Sequence, residues 1–401
     1  MKQLDINNIE IVTTTDYSKK LTIDGVTESY PVYRIKLECL YYNDQNDRIA
    51  TWLSKFKSDH PDFGVDSPDY NDEIHKMIVD SNPDAFKKTK KNIELYNQRE
   101  PGVILMDGRV IDGNRRFTCL RELSREDDKF GFFEAVILPH SYDNENGKKI
   151  IKALELAIQH GTDKQVDYDP INKLVGIYRD LIEDGHAFTI KEYARYIDQK
   201  ESEVQKSVDI ANLMIDYLDF LNAPKQFYIA VEHNINGPLY EMQSVLKKIT
   251  DEEQKEEMKK AMFSAILFLS GDITREVRKY RSIADSGITE EFFGKQRDIV
   301  DKVTDKIIEI NGPVTPKSLG EQVTNDKVLM DEIQDSLDDE YGRVTSAKVR
   351  STPIKLVEQA ISKIDAIDKV SLQVADYKNE LRKKLEDLEQ KAGKLRALLD
   401  E

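Results

Sequence analysis

Between Val103 and Leu123 the spacing of apolar positions changes period. Val103 to Met106 is a short unbroken apolar run, Asp107-Gly108 is a hairpin-type turn signal, and Val110-Ile111 resumes an apolar strand that stops at Asp112-Gly113. From there Phe117, Leu120 and Leu123 recur on one helical face, which predicts a helix with Asn114 as its cap. At 100° per residue the apolar arc of that helix also contains Arg116, with Arg115 at its edge. A guanidinium aimed with a core face is expensive unless an anion meets it, and the first turn of a helix itself favours negative charge.

Upstream, Ile9, Ile11 and Val12, then Leu21 and Ile23, then Tyr33, Ile35 and Leu37 alternate as strands do, with a turn signal at Asp24-Gly25. Arg48 sits in the polar turn that follows. Residues 52 to 92 switch to a largely helical pattern with loop signals at Pro61, Ser67-Pro68 and Asn82-Pro83, which predicts an insertion or lid. Phe132 to Leu138 reads as another strand. Beyond residue 150 the period is helical. Asp169-Pro170 opens one helix, and Leu174, Ile177, Leu181 and Ile182 give it an apolar stripe. Thr189 caps a short helix, and after a turn at Asp198-Gln199-Lys200 a second follows with Val204, Val208, Ala211 and Ile215 in helical register, a pair with helix-turn-helix spacing. Polar breaks at 234–238, 271–272, 286–287, 312–313 and Gly342 divide the next helices. From Ile354 the spacing becomes heptad-like, with Val374, Leu381, Leu388 and Leu395 every seven residues, which suits either a hairpin on its own domain or a self-associating coiled coil.

These patterns predict an α+β chain. Residues 1–148 form a small α/β domain carrying the helical insertion at about 52–92. Residues 149–235 form a helical domain with the helix pair, 236–350 a further helical domain, and 351–401 a long C-terminal helix or coiled coil.

Length and charge narrow the functions. The 401 residues carry a formal net charge of −16, which disfavours nonspecific adhesion to nucleic acid or anionic membrane, so any DNA contact must be local. Two cysteines, Cys39 and Cys119, give neither a disulfide framework nor a thiolate metal cluster. The opening residues lack an apolar signal core and no apolar run reaches the about 20 residues needed to span a bilayer, so a cytoplasmic, non-membrane protein is expected. The six histidines show no ligand spacing, so no metal site is inferred.

Two places carry candidate chemistry. Arg115 and Arg116 beside Gly113 either fasten the strand to the helix through Asp107, Asp112 or another carboxylate, or hold phosphates. In the second helix of the 190–215 pair, Lys200, Gln205 and Lys206 could meet DNA, although Glu201, Glu203 and Asp209 beside them repel its backbone. Lys87, Lys88, Lys90 and Lys91, and the run Arg275, Arg278, Lys279 and Arg281, form basic clusters that suit solvated, salt-bridged helix faces as well as phosphate.

The order of features resembles the ParB family: an extended N-terminal segment, a strand-turn-helix with a Gly-x-Arg-Arg core (Gly113-Asn114-Arg115-Arg116), a helical linker with Asp169-Pro170 at its Asn-Pro position, and a helix-turn-helix starting at Thr189. The Asp112 to Arg116 variant is similar to that of the wider ParB/sulfiredoxin fold, and the resemblance covers about residues 30 to 50 and 85 to 215. It implies a ParB/sulfiredoxin-like domain binding a nucleoside triphosphate, CTP or ATP with Mg²⁺, through Gly113, Asn114, Arg115 and Arg116. It further implies DNA as a partner, with a homo-oligomer formed through the C-terminal helix. The family's Glu-Asn-x-x-Arg segment would fall at Leu156 to His160, where those residues are absent although Glu155 is adjacent. The sulfiredoxin cysteine position holds Asn114. Some relatives on the fold are kinases and nucleases, which makes Asp112 the catalytic candidate of an alternative nuclease or phosphotransferase. A non-catalytic interaction protein is the third reading.

Overall fold

The computed structural model describes residues 4–23, 26–142, 145–160, 169–367 and 375–399. Six strands open the chain: β1 (Val12–Ile23), β2 (Val26–Lys36), β3 (Tyr41–Tyr42), β4 (Gly102–Leu105), β5 (Arg109–Asp112) and β6 (Phe132–Leu138). They form one mixed sheet in the order β1-β2-β6-β4-β5-β3. β6 and β4 run parallel, as do β5 and β3, and the other neighbours are antiparallel. The run of apolar residues in β4 and β6 fits their central positions, covered on both faces.

Four helices belong to this sheet: α1 (Ala50–Asp59), α2 (Tyr70–Ser81), α3 (Pro83–Tyr96) and α4 (Asn114–Leu123). The first three occupy the stretch expected to be an insertion or lid, and their packing is not that of a lid. Leu53, Ile74, Met77, Phe86 and Ile93 share a single buried cluster with Ile35, Ile104, Phe117 and Phe133, so these helices are one wall of the sheet's own core. Asn82-Pro83 is a helix start rather than a loop: the Asn82 side chain accepts from the Ala85 N–H and Pro83 takes the first turn, where its missing N–H does no harm. At the chain's beginning, Ile9 and Ile11 precede β1, and Ile9 is exposed. Leu37 lies in a 3₁₀ turn rather than a strand. The turn expected at Asp24-Gly25 lies outside the described residues.

The rest is helical: α5 (Glu145–His160), α6 (Pro170–Leu181), α7 (Ile190–Tyr196), α8 (Glu201–Phe220), α9 (Phe227–Glu232), α10 (Asn236–Leu246), α11 (Glu252–Phe268), α12 (Ile273–Ser286), α13 (Glu290–Ile308), α14 (Pro316–Gln322), α15 (Lys327–Asp365) and α16 (Ala375–Ala397). The architecture is therefore α+β, a sheet domain followed by a large helical region. Asp169 caps α6 through the Ile171 N–H, and Thr189 and Glu192 form a reciprocal capping box on α7. Gly271, Gly287 and Gly312 adopt positive φ at the expected breaks, whereas Gly342 does not break anything and lies inside the 39 residues of α15. No described helix is long and apolar enough to cross a membrane.

The chain divides into two compact units, Met1–Asp338 and Asp339–Glu401. In the second, the apolar side chains of Ile354, Leu356, Ile361, Leu385, Leu388 and Leu395 are exposed. Val374, the first of the heptad positions, lies outside the described residues; Leu381, Leu388 and Leu395 recur along α16.

Candidate phosphate-binding site

The site is built on the corner between β5 and α4. Gly113 ends the strand with φ +95°, in the left-handed region that side chains avoid. A Cβ there would also stand 2.9 Å from Cζ of Phe133 and 3.0 Å from Nη2 of Arg116. The corner is thus glycine for two independent reasons. It is Gly113, not Asn114, that caps α4: Asn114 is already helical, and its buried side-chain oxygen has no hydrogen-bond partner among the described residues. The expected Asn cap is corrected on that ground. Turning the chain through positive φ places the cap one residue earlier and swings the Asn114 amide inward.

Thr118 donates to the Asn114 carbonyl at 2.7 Å and accepts from the Tyr42 hydroxyl at 3.0 Å, which fixes the first turn of α4 to β3. Asp112 receives two cations on one oxygen, Lys19 Nζ at 3.1 Å and Arg116 Nη2 at 3.2 Å. Burial alone would raise the Asp112 carboxyl, but Arg116 and Lys19 together pull it below its ordinary value. The group is therefore held as an anion. Lys19 also donates to the Pro101 carbonyl at 2.6 Å, so β1 is tied to the corner. Arg116 keeps one edge unspent: its Nε is buried and without a hydrogen-bond partner among the described residues.

In front of the corner lies a cavity of about 660 Å³. Asp112, Gly113, Asn114, Arg115 and Arg116 line it, with Lys19, Lys20 and Arg48 from the sheet side and Glu155 from α5. Five cationic side chains face three carboxylates there, counting Glu100. In a chain of net charge −16 that local excess of positive charge marks where an anion would be drawn. A second cavity of about 330 Å³ adjoins it, and Arg48 and Arg115 line both.

The wall contributed by α5 holds what the sequence reading missed. Glu155, Lys152, Asp180, Asp47 and Arg179 form a buried charged cluster: Lys152 lies 3.5 Å from both Glu155 and Asp180, Arg179 is 3.5 Å from Asp47, and Asn43 donates to Glu155 at 2.6 Å. Burial, resisted by Lys152, pushes the Glu155 carboxyl up to about 7 and that of Asp180 to about 6. The signal was present in the sequence as charges interrupting apolar helix faces, Lys152 among Ile151, Ala153 and Leu154, and Asp180 beside Ile177 and Leu181.

A phosphate chain fits this cavity, given the orphaned Arg116 Nε, the glycine corner and the cation excess. A protein cage for Mg²⁺ does not. Among the described residues no group of three His, Cys, Asp or Glu side chains is placed to hold a metal, and Glu155 is committed to Asn43 and Lys152. Cys119 is buried on α4, and burial pushes its thiol up to about 12.

The other candidate residues lie apart from this corner, on the α7–α8 pair. Lys200 is the exposed cap residue of α8, without a side-chain cap bond. Gln205 donates to Asp209 at 2.8 Å, and Lys206 is exposed while its carbonyl accepts from Gln243. Asp209 also accepts from Gln243 at 3.0 Å and lies 3.7 Å from Lys247. Of the basic clusters, Arg278 is held by Glu241 and Lys279 by Glu276 and Asp338, which is a salt-bridged helix face. Lys90 pairs with Glu122, and Lys87, Lys88 and Lys91 are exposed.

Comparison with solved structures gives a distant likeness. A solved structure described as a Pnob8-like ParB-N domain matches over 83% of this chain and 98% of that one, at 13% identity and a TM-score of 0.31. No family model and no curated protein matches the chain.

Proposed function

We propose that this chain is a ParB-like nucleotide-responsive DNA-binding protein, whose sheet domain holds a nucleoside triphosphate at the Asp112-Gly113-Asn114-Arg115-Arg116 corner. One observation carries the reading: a cavity opens in front of two arginines at a helix start, and one of them keeps a buried N–H without a partner. Burying such a donor without an acceptor costs about 1–3 kcal/mol, and a phosphate oxygen would remove that cost through a charge-assisted bond. The helix start adds main-chain N–H groups of the same polarity. Mg²⁺ would then arrive on the phosphates rather than in a protein cage.

An enzyme reading assigns Asp112 to catalysis as a general base or metal ligand. Its two cationic partners favour the binding reading, because a carboxylate already neutralised by Lys19 and Arg116 is a weak proton acceptor. The α7–α8 pair is the DNA-facing element of this proposal, through Lys200 and Lys206, with contacts confined to a small patch. The exposed apolar positions of α15 and α16 suit a second copy of the chain.

The test is thermal unfolding with CTP, ATP or inorganic tripolyphosphate, each with Mg²⁺. A ligand at about 100 times its Kd adds about 2.7 kcal/mol, and Arg116→Ala should remove that shift. A shift that persists unchanged in Arg116→Ala places the ligand elsewhere, and no shift with any of the three at low salt ends the proposal. Duplex binding that falls steeply with salt and weakens in Lys200→Ala/Lys206→Ala carries the DNA half. Plasmid cleavage or phosphate release that vanishes in Asp112→Asn would transfer the site to the enzyme reading.

A further inference from the structure

The smaller cavity has walls of a different kind from the larger one. Trp52 on α1 lines it, with Tyr228 on α9 opposite in the chain's order by almost half its length. Trp52 is the chain's one tryptophan, and it remains 42% exposed although its neighbours Thr51 and Leu53 are buried. A large indole left partly in water beside a cavity is a surface that a flat apolar group would cover with gain. Tyr228 already has a cation near its ring, Lys55 at 5.7 Å, and Lys55 is held there by Glu232 at 2.8 Å. The indole is thus the open aromatic face, and the tyrosine side is a braced wall.

The polar lining is mostly spent on structure. Asn172 accepts from the Thr51 N–H and donates to the Arg48 carbonyl, and Asn82 caps α3. The surface the cavity leaves open to a guest is therefore the Trp52 ring, and Arg48 and Arg115 stand at the border with the phosphate-facing cavity. Nucleobases stack on aromatic rings and on guanidinium planes, and such stacking tolerates any base because every base has a π-face. At about 330 Å³ the space suits one base with part of its sugar, and excludes a peptide helix or a duplex.

We propose that the two cavities form one bipartite site, in which the smaller takes the nucleobase of the ligand against Trp52 while the larger takes its phosphates. The inference rests on the phosphate reading above and adds to it a nucleoside end, a stacking residue and a coupling. Because the walls come from α1 and α4 on one side and α6 and α9 on the other, the bound base joins the sheet domain to the helices that follow it. A bare polyphosphate would fill only the first cavity and leave that junction untouched.

Trp52 is its own reporter, as the chain holds no other indole. In the full-length protein, titration with ATP or CTP should change its fluorescence, whereas inorganic tripolyphosphate should bind without doing so. Trp52→Ala should weaken nucleotide binding about 10-fold, the scale of losing one ring–base stack, and Trp52→Phe should restore most of it. Tripolyphosphate is the internal control, since Trp52 does not line the larger cavity. Equal affinity for nucleotide and tripolyphosphate, with silent Trp52 emission and no loss in Trp52→Ala, overturns the bipartite site and leaves the phosphate reading standing. Failure of both ligands to bind wild-type protein removes the phosphate reading, and this inference with it.

Discussion

The β5–α4 corner and the α7–α8 pair carry similar residue types and spend them differently. At the corner, Lys19 and Arg116 converge on a single oxygen of Asp112, and one guanidinium edge is left over in a cavity with Lys20, Arg48 and Arg115 around it. On α8, Gln205 is taken by Asp209 of its own helix, and Asp209 also draws Gln243 and Lys247. Charge on a flat helix face is answered by neighbours and by water. In a concavity, what the neighbours leave unanswered is open only to what can enter, which is why a chain of strongly negative net charge can still build one place for an anion.

The largest expected effect sharpens that contrast from the cavity wall. Glu155 has its carboxyl raised from 4.5 to about 7, so the folded state holds its proton more tightly than the unfolded chain does. Stability from this group is complete below about pH 4.5 and is lost as pH rises to about 7. Glu155→Gln should lack that loss. The stability of the variant relative to wild type, from urea unfolding, should climb by as much as about 3 kcal/mol between those pH values and then stay level. A difference that is flat across the window would mean the carboxylate is already solvated.

Next comes the corner itself. Gly113→Ala forces a side chain into positive φ and into Phe133 and Arg116, and should destabilise by about 1–3 kcal/mol while also lowering any phosphate affinity. A variant as stable as wild type would show that the corner relaxes freely and is not a fixed cradle. The smallest effect belongs to the helix pair. Thr189→Ala removes one half of an exposed capping box and should cost about 1 kcal/mol without touching phosphate binding. If it lowers phosphate affinity as much as Gly113→Ala does, α7 belongs to the anion site itself and the two regions do not differ in what they hold.

The sequence announced the corner well because its signals are local. A Gly turn, an apolar strand and a three-four apolar spacing are all contained within about twenty residues, and the Thr189 cap and the Asp169-Pro170 start were legible for the same reason. The cap was misplaced by one residue because Asn114 is a good cap in general, and only the φ of Gly113 decides between them. Residues 52 to 92 read as an insertion or lid since helical amphipathicity shows that a face is buried but not against what. Gly342 was read as a break because glycine lowers helix propensity by about 1 kcal/mol, an amount that neighbouring residues override. For Trp52 and the Glu155–Lys152–Asp180 cluster the sequence shows at most a charge or a ring out of pattern, because their meaning depends on partners more than a hundred residues away, such as Asn43 and Tyr228.

That cluster also bears on where the chain can be cut. Asn43 and Asp47 lie in the sheet domain, Lys152 and Glu155 on α5, and Asp180 and Arg179 on α6, and Asn172 of α6 clasps both Thr51 and the Arg48 carbonyl. A fragment ending near residue 148 would keep the acidic acceptor Asp47 and lose the cation that answers it. An excised sheet domain should therefore be less soluble and less stable than the intact protein, and biochemical work on the phosphate site is better begun from the first compact unit, Met1–Asp338, than from the sheet alone.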